Sequence, residues 1–156
     1  MLTGMVLLFS VLLGLDLLFK QYVEDSIEAG REREIFGGKL TIRKVYNKGF
    51  LLNAMEQYPA KVRAVSIAGC IGILLRCACL FMKKRRYGEK VGMILISSGA
   101  ASNTFDRLAR GRVIDYIGFR TKWPLLARLT FNLGDFCIFL GAGMVSVAKI
   151  FGKKSK

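Results

Sequence analysis

The stretch Asn132–Ala148, NLGDFCIFLGAGMVSVA, decides the fold, because it is apolar along most of its length and has one acidic residue, Asp135. With its flanks it reaches the roughly 20 residues that a helix needs to cross a bilayer. Three further apolar runs occupy Leu2–Leu15, Ala64–Leu75 and Val91–Ala101. This pattern predicts one polytopic membrane domain over residues 1–156.

We therefore predict a mainly α membrane protein with four transmembrane helices, a small extracytoplasmic β-sheet or cradle, and a surface helix or loop. The predicted spans are about 2–23, 62–82, 88–107 and 129–151. The predicted extracytoplasmic loops are about 24–61 and 108–128. The first helix is expected to be retained and not cleaved as a signal peptide, because no Lys or Arg precedes its apolar run and Asp16 interrupts it.

The first outer loop contains one clear strand signal. Lys39–Tyr46 alternates along its length and is rich in β-branched and aromatic residues, and Asn47–Gly49 follows it as a turn. We place Phe50–Met55 on the membrane surface. At the start of the fourth span, Asn132 and Asp135 are expected on one helix face, about one turn inside the helix.

The net charge of +14 does not predict nucleic-acid binding, because the Lys and Arg residues lie mainly at the ends of the apolar runs. Lys83–Arg86 lies between the second and third spans, and Lys153, Lys154 and Lys156 end the chain. Both groups are predicted to be cytoplasmic, which places both termini inside the cell. The second outer loop is also basic, so this charge asymmetry is weak.

The composition excludes several kinds of site. The chain has no His, and its four Cys residues fall within apolar spans, where a thiol acts as a small apolar group. We expect no metal, no cofactor and no obligatory disulfide. The absence of His and of a Gly-x-Ser-x-Gly motif also argues against a Ser or Cys triad.

Two acidic residues stand out because their neighbours belong at the edge of a bilayer. Asp115 lies in Val113–Ile117, and Asp135 lies near the start of the last apolar run. A carboxylate within a membrane costs about 2.5–3.5 kcal/mol, so such residues usually have a functional role. Two neighbouring carboxyl groups that share one proton can act as a general acid and a general base.

Four polar motifs follow in order after Asp16 and Lys20, which share one face of the first helix. They are Asn47-x-Gly49, Asn103-x-x-Asp106-Arg107, Gly111-x-Val113-x-Asp115-Tyr116-Ile117 and Phe131-Asn132-x-x-Asp135. Together with the four predicted spans, these motifs resemble lipoprotein signal peptidase, the signal peptidase II family of bacterial membrane aspartic proteases. The resemblance covers essentially the whole chain.

The resemblance implies an aspartic endopeptidase that removes the signal peptide from diacylglyceryl-modified prolipoproteins, cutting on the N-terminal side of the lipidated cysteine. It implies a multi-pass protein of the bacterial cytoplasmic (inner) membrane with its active site near the outer surface. The implied partners are lipid-modified prolipoproteins, membrane lipids and inhibitors of the globomycin type.

The resemblance also assigns residues to roles. Asp115 and Asp135 match the catalytic dyad. Seven further residues match family positions that bind substrate or support the active site: Asp16, Lys20, Asn47, Gly49, Asn103, Arg107 and Asn132. Among these, we expect Asn103 and Asn132 to offer amide donors to the substrate backbone or the developing oxyanion. We expect Asp16, Lys20 and Arg107 to fix the loop to the helices.

The chain departs from the family pattern at a few positions. Phe50-Leu51-Leu52-Asn53 replaces Ala-Ala-Phe-Gly, Ser98 and Ser102 replace glycines, and Gly134 replaces an alanine. These changes leave the dyad intact and bear on substrate preference and inhibitor sensitivity.

Two alternative functions stay open. One is a catalytically altered paralogue that binds lipoproteins, which the changes after Gly49 favour. The other is a small ion or proton transporter. The transporter is disfavoured because both acids lie toward the outer ends of their helices and no chain of titratable groups continues to the cytoplasmic side.

Overall fold

The computed structural model describes residues 2–28, 30–50 and 53–152, and within these ranges the chain forms five helices and four strands. Leu51, Leu52, Lys153, Lys154 and Lys156, to which predictions were attached, lie outside the described residues. In chain order the elements are α1 (Leu2–Ser26), β1 (Glu32–Ile35), β2 (Leu40–Asn47), α2 (Pro59–Phe81), α3 (Tyr87–Ala109), β3 (Val113–Phe119), α4 (Pro124–Arg128), β4 (Thr130–Phe131) and α5 (Leu133–Gly152).

Three of the helices, α1, α2 and α5, are long and apolar enough to cross a membrane. Helix α3 has 23 residues but is more polar than these three. It packs against α1, α2 and α5, so most of its side chains meet protein. The prediction of a mainly helical membrane protein with a small sheet is confirmed, with three candidate spans among the described residues.

The predicted start of the last span was wrong. Helix α5 begins at Leu133 and not near residue 129, because Thr130 and Phe131 pair with β3 as a short strand. Asn132 therefore precedes the helix and does not lie one turn inside it. The short helix α4, which starts with Pro124 at its first position, was not predicted as a helix.

The four strands form one antiparallel sheet in the order β1-β2-β3-β4. The strand predicted at Lys39–Tyr46 is confirmed as β2. Strand β3 was not predicted, and it runs through the stretch assigned to the second outer loop. The sheet packs on the end of α1 through Val23, Ile27, Ile114 and Tyr116.

Helices α3 and α5 approach each other through glycines. A Cβ atom on Gly99 would lie 2.1 Å from the carbonyl oxygen of Gly134, and one on Gly141 would lie 2.5 Å from that of Gly92. Larger residues at these positions would force the helices apart. This contact fixes the start of α5 against the polar end of α3, where the predicted site residues lie.

Candidate active site

The two acids predicted as a dyad line one cleft beside the sheet. Asp115 lies in the middle of β3 and Asp135 in the first turn of α5. Both border a cavity of about 560 Å³. Only 4% of Asp115 is exposed. Helix α4 and strand β4 lie between Asp115 and Asp135 in the chain. The structure therefore places both carboxyl groups at one cleft although they are distant in sequence.

The cleft is polar on one side and apolar on the other. Its polar lining includes Asn47, Asn103 and Arg107 next to the two acids. Its apolar lining comes mainly from α2 and α5 and includes Val65, Gly69, Cys70, Ile73, Ile138 and Phe139. Such a cleft suits a ligand that combines a peptide backbone with apolar groups.

Burial is the main reason that the pKa of Asp115 rises from 3.8 to about 7, and the negative charge of Asp135 raises it further. Two amides oppose this rise, because they donate to the ionised carboxylate. Asn132 Nδ2 lies 2.7 Å from Oδ1 of Asp115, and Asn47 Nδ2 lies 3.2 Å from Oδ2. The charge of Lys20 also lowers this pKa. Asp115 consequently exchanges its proton near neutral pH.

Asp135 is held by the residues at the start of its own helix and by α3. Asn103 Nδ2 donates to Oδ1 of Asp135 at 2.8 Å. The backbone N–H of Asn132 donates to Oδ2 at 3.1 Å, and the N–H of Asp135 donates back to Asn132 Oδ1 at 2.9 Å. This reciprocal pair is a capping box, which stabilises the first turn of a helix.

Asn132 thereby connects the two acids. Its Oδ1 accepts from the Asp135 backbone, and its Nδ2 donates to the Asp115 carboxyl group. Asn132 is fully buried and stands behind the cleft lining. The amide of Asn132 donates to Asp115 in the structure, and a further donation from Asn132 to the substrate stays a prediction.

Lys20 is the centre of a buried ionic network behind Asp135. Its Nζ lies 2.9 Å from Asp16 Oδ2 and 3.4 Å from Asp106 Oδ2, and it donates to Asn103 Oδ1 at 2.8 Å. Lys20, Asp16 and Asp106 are at most 1% exposed. The network orients Asn103, whose amide then donates to Asp135.

Three residues of this network were missed at the sequence level as members of the site. Ser102 Oγ donates to Asp16 Oδ2 at 2.6 Å and accepts from Lys20 at 2.9 Å. Asp106 accepts from the backbone N–H of Ile114 at 3.2 Å and binds Arg110. A sequence signal existed for Asp106, because it shares a helix face with Asn103.

Tyr116 is the third missed residue. Its hydroxyl group donates to Asp16 Oδ1 at 3.0 Å and accepts from the backbone N–H of Leu133 at 3.1 Å. Burial and the neighbouring Asp16 raise the pKa of Tyr116, so the phenol keeps its proton. Tyr116 thus joins β3 to α1 and to the start of α5.

Arg107 bonds to the loop after β2, whereas Asp16 and Lys20, which were expected to fix this loop as well, bond to each other and to residues of α3 and β3. Arg107 Nη2 donates to the carbonyl oxygen of Gly49 at 2.7 Å, and its guanidinium lies 5.4 Å from the ring centre of Phe50. A Cβ on Gly49 would lie 2.2 Å from the Ala54 carbonyl oxygen, so only glycine fits this turn. Asn47 is oriented toward Asp115 and also accepts from the Gly49 N–H.

Two of the departures from the family pattern have a local explanation. Ser102 supplies the hydroxyl group that links Asp16 to Lys20. A Cβ on Gly134 would lie 2.9 Å from Asp16 Oδ2 and 3.0 Å from Asn132 Oδ1. An alanine at position 134 would therefore displace the site in this chain. Ser98 donates to the Leu95 carbonyl oxygen within α3.

The arrangement suits general acid–base hydrolysis. Two carboxyl groups border one cleft, each is oriented by amide donors, and one of them holds or releases a proton near neutral pH. The supporting residues lie behind the lining and keep the acids in place. Asn47, Asn103 and Arg107 border the cleft itself and are available to a ligand.

Comparison with known proteins identifies a family and agrees with this fold. Residues 8–151 match the family model described as signal peptidase (SPase) II. A lipoprotein signal peptidase of Fusobacterium nucleatum is 31% identical over 153 residues, which covers 97% of this chain and 88% of the relative. One from a Sulfurihydrogenibium species is 26% identical and covers 94% of this chain and 90% of the relative.

A solved structure of a bacterial membrane enzyme has the same fold. It superposes with a TM-score of 0.84 at 21% sequence identity, and the match covers 99% of this chain and 93% of the other. The family match spans nearly every element described above. This chain belongs to the signal peptidase II family.

Proposed function

We propose that this protein is an aspartic endopeptidase that removes the signal peptide from diacylglyceryl-modified prolipoproteins, with Asp115 and Asp135 as its catalytic dyad. The cut falls on the N-terminal side of the lipidated cysteine. One observation carries the assignment of the dyad. Both acids border the same cleft, and the single side chain of Asn132 connects them.

The dyad works with one shared proton. The unprotonated carboxylate removes a proton from a water molecule, while the protonated partner polarises the scissile carbonyl group. A proton then passes to the leaving nitrogen. The raised pKa of Asp115 makes this residue the candidate for carrying the shared proton at rest. Asn103 and Asn47 keep the two carboxyl groups oriented during the transfer.

The two linings of the cleft support a lipidated peptide as substrate. The polar side presents donors and acceptors to a peptide backbone, and the apolar side on α2 continues toward the part of the protein that faces lipid. The substrate peptide is bound along the polar lining and its acyl chains along the apolar one. Inhibitors of the globomycin type and membrane lipids occupy the same cleft and its surroundings.

The membrane placement follows from the same elements. Helix α3 is the fourth span, because it is 23 residues long and lies among three helices that are apolar enough to cross. Lys83–Arg86 joins α2 to α3 on the cytoplasmic side, and both termini lie on that side. The sheet and the cleft then lie at the outer surface of the bacterial inner membrane.

The test uses purified protein and a precursor peptide that carries a diacylglyceryl cysteine. Asp115→Asn and Asp135→Asn should each lower turnover by about 10³-fold or more, because each removes half of the acid–base pair. Asp25→Asn is the matched control, since Asp25 is exposed on α1 and bonds only to Gln21 among the described residues. This control should cleave at the wild-type rate.

Other results would overturn parts of the proposal. Turnover within about tenfold of wild type in either dyad variant would reject the dyad. Equal cleavage of a precursor without the lipid would reject the substrate class. Tight binding of the lipidated precursor by wild type without any release of signal peptide would favour the altered paralogue.

A further inference from the structure

Arg43 lies at an irregular point of the sheet, two residues before Val45, which lines the cleft. Ile42 pairs with Ile117 and Val45 pairs with Asp115, so two residues of β2 stand opposite one residue of β3. Such a bulge bends the strand and changes the direction of its side chains. It allows Asn47 to reach Asp115 while Arg43 leaves the strand in another direction.

The side chain of Arg43 extends from β2 across the sheet to residues 127–130, where α4 ends and β4 begins. Its Nε donates to Thr130 Oγ1 at 2.9 Å, and its Nη2 donates to the carbonyl oxygens of Ala127 at 3.0 Å and Leu129 at 2.9 Å. Its Nη1 pairs with Glu32 at 3.1 Å. The side chain is only 19% exposed.

A glycine makes room for this side chain. Arg43 reaches across β3 at Gly118, where an added Cβ would lie 2.8 Å from Nε and 3.0 Å from Cζ of the arginine. Any larger residue at position 118 would collide with the guanidinium. The absence of a side chain at Gly118 of β3 therefore leaves the space that the Arg43 side chain occupies.

The segment that Arg43 holds is anchored at one end by the Phe131 ring, which packs against Phe119, Phe136 and Phe139, and has few other attachments. Strand β4 pairs with β3 at only two positions, Thr130 and Phe131. Helix α4 has five residues, and its last carbonyl groups lack partners within the helix. Arg43 supplies three hydrogen bonds to this segment, and hydrogen bonds from a charged donor are stronger than neutral ones.

The position of this segment matters for the cleft. Arg128, Leu129, Thr130 and Phe131 line it, and Asn132 follows immediately. Asn132 has no freedom to move without disturbing both acids, because it bonds to Asp115 and to the Asp135 backbone. A shift of this segment would move Asn132, which directly follows Phe131 in the chain, and would thereby displace the two acids.

We propose that Arg43 is a positioning residue for the cleavage reaction: it fixes the segment 127–131, and thereby sets one side of the cleft and the place of Asn132 between the two acids. This inference rests on the proposed function. Arg43 itself does not border the cleft and acts only through the segment that it holds.

The experiment measures kcat and KM of Arg43→Gln on the lipidated precursor, normalised to folded protein. We expect kcat to fall about tenfold, because small displacements of catalytic groups reduce rates strongly. Arg33→Gln is the matched control, since Arg33 is an exposed arginine on the adjacent strand β1. It should keep the wild-type kcat. Arg43→Lys should recover little, because one ammonium group cannot reproduce the fork of donors.

A second substitution separates positioning from general stability. Thr130→Val removes only the partner of Arg43 Nε and should lower kcat about threefold. The double variant Arg43→Gln with Thr130→Val should be no slower than Arg43→Gln alone, since both changes break one network. A purely structural role predicts lower thermal stability with an unchanged kcat for the folded fraction.

Each outcome separates this inference from the proposed function. A folded Arg43→Gln protein with the wild-type kcat overturns the positioning role and leaves the protease intact. If Arg43→Gln does not fold, a wild-type kcat in Thr130→Val overturns the role instead. Failure of the wild-type protein to cleave the precursor overturns the proposed function itself.

Discussion

Two stretches of helix α3, Gly92–Leu95 and Ser102–Arg107, which we call its apolar half and its polar half, are both buried, but different interactions bury them. Around Gly92–Leu95 the helix meets its neighbours through apolar side chains and close backbone contact, and a Cβ added to Gly92 would lie 2.8 Å from the Gly141 carbonyl oxygen. Around Ser102–Arg107 the same helix buries an amide, a hydroxyl group and charges, which bond to partners on α1, β3 and α5.

A membrane helix can contain buried polar residues where each of them has a bonding partner. The apolar half needs only shape, so its contacts tolerate conservative changes. The polar half needs every partner, because an unpaired buried charge costs far more than a lost apolar contact. Many apolar contacts therefore share the stabilisation in the apolar half, whereas function depends on a few hydrogen bonds and ion pairs in the polar half. Four tests address this difference, from the largest expected effect to the smallest.

Removal of the Lys20 charge on α1, to which the polar half of α3 bonds, should have the largest effect. Lys20→Met leaves the buried Asp16 and Asp106 without their ammonium partner and should cost about 3–5 kcal/mol of stability. Thermal unfolding in detergent measures the loss. The exposed Lys149→Met at the far end of α5 should change little. An equal loss in both variants would remove the distinction between the two halves.

The second test concerns the charge of Asp115. Its pKa of about 7 in the folded protein exceeds the ordinary 3.8, so the folded state binds more protons than the unfolded state between these values. Stability should therefore decrease as pH rises from about 4 to about 7, by at most about 4 kcal/mol. Asp115→Asn lacks this charge, and its melting temperature should show a smaller decrease over that range.

The activity profile provides a second measurement of the same group. Loss of the shared proton should lower kcat/KM of wild type as pH rises through about 7. The exposed Asp25→Asn should keep both the wild-type melting curve and the wild-type profile. A wild-type melting temperature that does not change between pH 4 and pH 7 would contradict the assignment.

The third test compares two glycines of the α3–α5 contact. Gly99→Ala and Gly141→Ala both place a methyl group within 2.5 Å of a backbone oxygen, and each should cost about 1–3 kcal/mol. Only Gly99→Ala should also lower kcat, because it displaces Gly134 beside the site. Gly143→Ala, which has open space around its Cβ position, is the control. A loss of kcat in Gly141→Ala would show that both halves position the site.

The smallest effect is expected for Tyr116→Phe. It removes the hydroxyl group between Asp16 and the Leu133 N–H and should cost about 1 kcal/mol. The turnover number should fall a few-fold, since Leu133 adjoins Asn132. The exposed Tyr87→Phe at the other end of α3 serves as a control and should match wild type in both measurements. A wild-type kcat in Tyr116→Phe would exclude Tyr116 from the support of α5.

Local patterns predicted the long elements well. The apolar runs placed all four long helices, and the alternation in Lys39–Tyr46 placed β2. The ionic pair of Asp16 and Lys20 also followed from their helical spacing. These features depend on residues that are close in sequence, so periodicity is sufficient to find them.

Features that depend on distant partners could not be predicted in this way. Strand β3 exists because β2 lies beside it, and β4 has only two residues and no local signal. The start of α5 was misplaced for the same reason. Asp106 bonds to Lys20 on α1 and to the backbone of β3, and its helical spacing from Asn103 indicated a shared face but neither of these partners. That Asp115 and Asp135 act as the dyad stays a prediction.

The capping box at Asn132 links the assembly of the protein to its activity. The same side chain that starts α5 also bonds to Asp115, so the two acids acquire their relative positions only when this last helix forms and docks on α3. If Asp115 and Asp135 are the dyad, as proposed, a chain that has inserted only its first three long helices has no working dyad. On that assignment an incompletely assembled molecule is also an inactive one.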